Sequence, residues 1–283
     1  MLDDKTLARL DALALRLKNR TRGAAGGARR SSALGSSAEF SDFREYVPGD
    51  DVRRVDWNAY ARFERLFLKL FMEEQEAEIT LLVDASRSMK AKWETCLVCA
   101  EMLGYLALTG GDRLRVVLLR GRAASDGGRF AGKKDFLHME RFLEAGEPSG
   151  ETDLDGAVPA LSLGTHGLTI LISDLFSDSG YERALSSLLF RKQEVIVLHV
   201  LAEEEVEPRF EGVVRLTDSE NARYLDLMAG GEVLREYQKA LDAFRKALRG
   251  FCHKRGVELI ELTAGENASG EMLRRLMTAG SVQ

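Results

Sequence analysis

Apolar and polar positions change rhythm twice along the chain. Residues 4–18 set Leu7, Leu10, Leu13, Leu15 and Leu17 among Arg and Lys at helical spacing, which predicts an amphipathic helix. Residues 19–36 are rich in Gly, Ala, Ser and Arg without periodicity and read as a linker or loop. From Glu39 the pattern tightens. Pro48-Gly49 marks a turn, Asp50 or Asp51 can cap the short helical stretch after it, and residues 66–71 alternate as a strand. Beyond residue 78, short apolar runs alternate with helical periodicity. ITLLVD (79–84), RLRVVLL (113–119), LTILISD (168–174), VIVLHVL (195–201) and VELIELT (257–263) read as buried strands. Helical patterns cover 89–109, 133–145, 153–163, 179–191 and 231–254, and residues 213–228 read as a hairpin turning at Asp-Ser-Glu-Asn. Apolar strands alternating with helices predict an α/β fold, a mainly parallel sheet with helices on both faces. The expected organisation is an N-terminal arm over residues 1–78 and one α/β domain over 79–283.

Composition narrows the class. With 45% hydrophobic residues and four prolines, the chain is not collagen-like, mucin-like or wholly disordered. A net charge of −5 excludes a bulk basic nucleic-acid binder. The charge is uneven, though: residues 1–36 carry eight bases against three acids, which leaves −10 for the remainder. That basic stretch has no interleaved aromatics, so no nucleic-acid partner is expected. No apolar run reaches the roughly 18 residues of a membrane span, and the early acids do not resemble a signal peptide. Three cysteines make no disulfide framework, so the expected compartment is the cytoplasm.

Candidate chemistry gathers at strand ends, where open parallel sheets bind their ligands. Asp84-Ala85-Ser86-Arg87-Ser88 follows the first apolar strand, Gly150-Glu151-Thr152-Asp153 opens the helix at 153–163, and Asp174 closes LTILISD. Two carboxylates and three hydroxyls form an oxygen-only set suited to Mg²⁺ or Mn²⁺, which favour about six oxygen ligands including water. The alternative is that these Ser and Asp residues merely cap helices. Cys96 and Cys99 have zinc-like spacing but lie in a predicted helix without a second pair, and read as small buried helix residues. GAAGGARR lacks the Gly-Lys-Ser/Thr ending of a phosphate loop. His138, His166, His199 and His253 accompany no nucleophile motif. The charged block at 44–62, with Arg44, Arg53, Arg54, Arg62, Asp50, Asp51 and Asp56, predicts an ion-pair network joining the N-terminal segment to the sheet, with a partner-docking face as the alternative.

The order Asp-x-Ser-x-Ser, then Thr, then Asp resembles the metal-ion-dependent adhesion site of von Willebrand factor A domains. Residues 43–89 also resemble the signature of the bacterial "domain of unknown function 58" family: Arg44, Tyr46, Pro48, Gly49 and Asp50 in a turn, then Arg53 or Arg54, Asp56, Trp57, Ala61 and Arg62, and the strand into the metal loop. The resemblance covers about residues 29–280. It implies a von Willebrand factor A-like domain whose metal ligands are Asp84, Ser86, Ser88, Thr152 and Asp174, with one coordination position left for an acidic side chain of a partner. Glu151 stands where related sequences often carry Gly or a base, and its carboxylate could weaken binding of an anionic partner or fill that position itself. The resemblance also implies a non-catalytic adaptor working beside a MoxR-type AAA+ ATPase in assembly or maturation. A Mg²⁺-dependent phosphoryl hydrolase built on Asp84, Asp174 and Glu151 is the alternative, for which the sequence offers no obvious general base.

Overall fold

The computed structural model describes residues 2, 6–11, 39–48, 50–72, 78–208, 212–217, 224–229 and 231–279. The predicted linker at 19–36 and the turn of the predicted hairpin lie outside them. The chain divides into two compact units, Met1–Gly23 with Ala77–Gln283, and Ala24–Glu76.

In the smaller unit, β1 (Glu39–Glu45) pairs antiparallel with β2 (Phe67–Met72), with a break in register between Phe40 and Asp42. Asp51 caps a 3-10 turn at Val52–Arg54. Asp56 caps α2 (Trp57–Phe63), its carboxylate accepting from the N–H groups of Asn58 and Ala59 at 2.9 and 3.2 Å. Its own N–H donates to the Phe67 carbonyl at 2.8 Å, which ties the start of α2 to β2. Arg44 pairs with Asp50 at 2.8 Å, and Asp50 also accepts from the N–H of Val47 at 2.9 Å. These interactions serve the local turns. Arg62 is exposed, so it is no part of a buried ionic lattice.

The larger unit is built on one six-stranded sheet. Its strands are β3 (Glu78–Asp84), β4 (Arg113–Arg120), β5 (Ala123–Ala131), β6 (Gly167–Ser173), β7 (Gln193–Leu201) and β10 (Glu258–Thr263), in the order β10-β7-β6-β3-β4-β5. All neighbours pair parallel except β4 and β5. Between β7 and β10, β8 (Gly212–Thr217) and β9 (Tyr224–Ala229) form the predicted antiparallel hairpin. Strand side chains alternate between two buried layers. Leu81, Val83, Val116, Ile170 and Ile196 face a layer with α3 (Trp93–Gly110), α4 (Phe136–Glu144) and α9 (Ala268–Ala279). Leu82, Val117, Leu171 and Val197 face the other, with α5 (Leu154–Ala160), α6 (Glu182–Phe190) and α8 (Gly231–Arg255). Burial on both faces is why these strands read as continuous apolar runs. Among the described residues, no helix is long and apolar enough to cross a membrane.

Three elements depart from the sequence reading. The edge strand β5 escaped it, because its residues are largely exposed and three of its nine are Gly or Asp. So did α9, which buries Met272 and Leu276 one helical turn apart. Residues 6–11 form the helix α1, as expected, but Leu10 is fully buried in the α3 layer and the Tyr105 hydroxyl donates to Asp11 at 2.6 Å. The start of the chain therefore packs into the sheet unit, and the separate unit begins after it.

Two measurements check this division. Leu10→Ala should cost roughly 2–5 kcal/mol of unfolding free energy in a denaturant titration, as buried Leu truncations do; no loss would return α1 to a separate arm. Asp56→Ala should cost about 1–2 kcal/mol through the lost cap, whereas Arg62→Ala should stay within about 0.5 kcal/mol of the parent.

Candidate metal centre

The strand order places β3 in the middle of the sheet. The chain fills one side with β4 and β5, then crosses to β6, β7 and β10 on the other. The switch point lies between β3 and β6, whose register pairs Val83 with Ile172. Asp84 and Asp174 thus arrive at neighbouring strand ends.

The loop after β3 folds back on Asp84. One carboxylate oxygen, Oδ1, accepts from the N–H of Ser86 at 3.0 Å, and the other, Oδ2, accepts from the Ser173 hydroxyl at 2.6 Å. The Ser86 and Ser88 hydroxyl oxygens lie 3.1 Å apart. A second loop is strapped beside this one by backbone alone. Ser149 donates to the Ala85 carbonyl at 2.8 Å, and Arg87 donates to the Gly150 carbonyl at 3.0 Å. Gly150 takes φ +77°, a turn that an L side chain resists. Gly121 then bridges to Thr152, and the Ser177 hydroxyl donates to the Thr152 carbonyl at 2.9 Å, holding this buried threonine in place. Asp84, Ser86 and Ser88 are joined by hydrogen bonds, Asp174 lies at the neighbouring strand end within reach of the Asp84 charge, and Thr152 is brought to the same edge by the strap. Glu151 does not turn inward: its side chain is exposed, and its carbonyl accepts from the Gly121 N–H at 2.7 Å. Asp153 caps α5 and pairs with Arg122 at 2.7 Å.

Two side chains unmarked in the sequence reading complete the setting. Lys92 is fully buried, and its ammonium donates to Asp174 Oδ2 and to Glu205 Oε1, both at 2.7 Å. Burial works against its charge, but the two carboxylates outweigh it and the Lys92 pKa is raised. The signal was in the pattern: Lys92 sits three residues after Met89 and four before Cys96, on a stripe of buried positions. The other is Ser173, a hydroxyl inside an apolar strand that donates to Asp84 and accepts from the Leu175 N–H at 2.9 Å.

Burial and the like charge of Asp174 push the Asp84 carboxyl up to about 6, against the pull of its hydrogen bonds from Ser173 and Ser86. His199, in register with Ser173 on β7, is fully buried with its ring against Phe176 and Phe244, and burial pulls it down to about 4. An acid that binds its proton more tightly when folded loses stability as pH rises, so Asp84 weakens the fold between about pH 4 and 6. A histidine that gives up its proton on folding does the reverse, so His199 strengthens it between about pH 4 and 6.5. Each effect is roughly 3 kcal/mol, and they oppose one another. In EDTA, His199→Phe should tilt the pH dependence of the urea midpoint downward relative to the parent as pH rises through this window. Asp84→Asn should tilt it upward.

The donor set fits a hard divalent cation. It is all oxygen, it couples three hydroxyls with two buried carboxylates, and the repulsion between those carboxylates is what a cation relieves. Both oxygens of Asp84 and of Asp174 accept hydrogen bonds, so the two carboxylates are already oriented at the strand ends. Elsewhere, Glu101, Glu140 and Glu144 gather their carboxylates within 4.8 Å, but they belong to the packing of α3 on α4 and no strand end contributes to them. Cys96 and Cys99 are buried thiols within α3, and burial pushes Cys99 up to about 12.

The larger unit is an α/β fold on a mostly parallel six-stranded sheet flanked by helices. Residues 42–247 match the family described as "protein of unknown function DUF58", and the chain belongs to that family. Uncharacterized proteins of Mycobacterium tuberculosis and Mycobacterium bovis are 26% identical over 283 residues, covering 96% of this chain and 89% of theirs. Among solved structures, the conserved hypothetical protein BatB from Bacteroides thetaiotaomicron is similar at 14% identity and a TM-score of 0.44, over 72% of this chain and 99% of that one. The PilB minor pilin from Streptococcus sanguinis is similar at 10% identity and a TM-score of 0.34, over 77% of this chain and 64% of that one.

Proposed function

We propose that this chain is a von Willebrand factor A-like, metal-dependent protein-binding adaptor without catalytic function, working beside a MoxR-type AAA+ ATPase in chaperone-like assembly or maturation. One observation carries the binding part: three hydroxyls and two buried carboxylates meet at the β3–β6 switch point, each carboxylate held by two donors. Mg²⁺ or Mn²⁺ held by Ser86, Ser88 and Thr152, with Asp84 and Asp174 behind them, supplies a Lewis-acid position for a partner's carboxylate. The hydrolase alternative lacks an obvious general base in the sequence to activate water. The ATPase partnership follows the family resemblance, and the chain carries no phosphate-loop motif of its own.

Metal should stabilise the parent by about 2.7 kcal/mol at 100-fold excess over Kd, and Asp84→Ala should abolish the gain. A pull-down from native lysate, with Mg²⁺, with EDTA and with Ser86→Ala plus Ser88→Ala, tests the adaptor role. An AAA+ ATPase identified by mass spectrometry in the Mg²⁺ lane alone supports it, and identical partners in all lanes remove the cradle from the binding surface. Metal-dependent phosphoester turnover lost in Asp84→Ala would replace the adaptor with the hydrolase.

A further inference from the structure

Lysine is seldom fully buried, because stripping water from an ammonium is costly unless anions meet it. Lys92 is fully buried and meets two, Asp174 at the end of β6 and Glu205 in α7 (Glu203–Val206) after β7. Each acid is committed at both oxygens. Asp174 accepts from Lys92 at Oδ2 and from the Phe176 N–H at Oδ1. Glu205 accepts from Lys92 at Oε1 and from the Ala202 N–H at Oε2. The Tyr237 hydroxyl of α8 also donates to the Glu205 carbonyl at 2.7 Å, so the acid sits on an anchored backbone. One ion triad therefore links three segments at the carboxyl ends of the adjacent strands β3, β6 and β7.

We propose that Lys92 sets the affinity of the cradle for its divalent cation. The ammonium neutralises Asp174 in the metal-free protein and keeps that carboxylate turned toward itself. Metal is then held through hydroxyls and water, loosely enough to exchange until a partner's carboxylate joins it. The inference rests on the metal-dependent reading above. Its physics is direct: a positive charge bonded to a cradle carboxylate opposes an incoming cation, and it does so more strongly in a water-poor interior. Glu205 acts in the opposite sense, since its negative charge compensates the ammonium. Lys92 is thus a positioning residue, acting through Asp174.

The test is a Mn²⁺ titration of the full chain, free Mn²⁺ being counted by electron paramagnetic resonance, for the parent, Lys92→Met and Glu205→Gln. Lys92→Met should bind Mn²⁺ at least ten-fold more tightly and Glu205→Gln at least three-fold more weakly, although both break the triad and both lower the melting temperature in EDTA. A lysine that only supports the fold would lower both melting temperatures without driving the affinities apart, and that result overturns the proposal. Should Lys92→Met fail to fold, Glu205→Gln decides, because its side chain is 29% exposed and tolerates the change; binding as tight as the parent's then overturns it. A parent that binds Mn²⁺ with variants of equal affinity sinks this inference alone. No binding by any of the three sinks the metal reading and this inference with it.

Discussion

Two carboxylates that repel one another at neighbouring strand ends are the constraint around which the rest of the larger unit is arranged. Asp84 and Asp174 arrive together because parallel pairing of β3 with β6 leaves no other place for the residues that close those strands. Burying both is costly, and the surroundings answer the cost in different ways. Asp84 is met by a hydroxyl and a backbone N–H, which orient it without cancelling its charge. Asp174 is met by a full positive charge. The asymmetry leaves Asp84, whose carboxyl burial and the charge of Asp174 push up to about 6, without a bonded cation. It also gives the two acids different readiness to face a cation.

The larger unit was largely legible in the sequence, because its strands are buried on both faces and its helices are amphipathic. The six-residue run at 79–84 and the seven-residue runs at 168–174 and 195–201 leave no room for another assignment, and an acid at the end of an apolar run marks a strand's carboxyl end. The edge strand β5 was not legible, since one covered residue, Phe130, in a Gly-containing stretch carries no periodicity. Residues 4–18 were read as helical yet assigned to an arm, and 12–18 lie outside the described residues: amphipathic spacing says that a helix buries a face, not which surface receives it.

The position of the candidate site, with Asp84, Ser86, Ser88, Thr152 and Asp174 at one edge of the sheet, was legible through residue type and position. Its electrostatics were not. Lys92 and Glu205 lie 113 residues apart, and nothing in local spacing announces that the Lys92 ammonium donates to the Glu205 carboxylate. Lys92 is visible only as a charge on a buried stripe, a pattern more often explained by a long side chain reaching solvent. Glu151 misled in the other direction, because its neighbour Thr152 faces inward and adjacent residues in an extended segment face opposite ways.

The border strand β5 has a consequence for how the chain behaves among copies of itself. It runs antiparallel to the rest of the sheet, breaks register between Arg115 and Val117, and carries Asp126 and Arg129 toward solvent. An exposed strand that was straight and apolar would invite a neighbouring molecule to add its own backbone and begin a continuous fibre. A kinked, charged, glycine-bearing strand is a poor template for such growth. At the β5 border the sheet therefore resists edge-to-edge addition of a second copy, while β10 forms its other border.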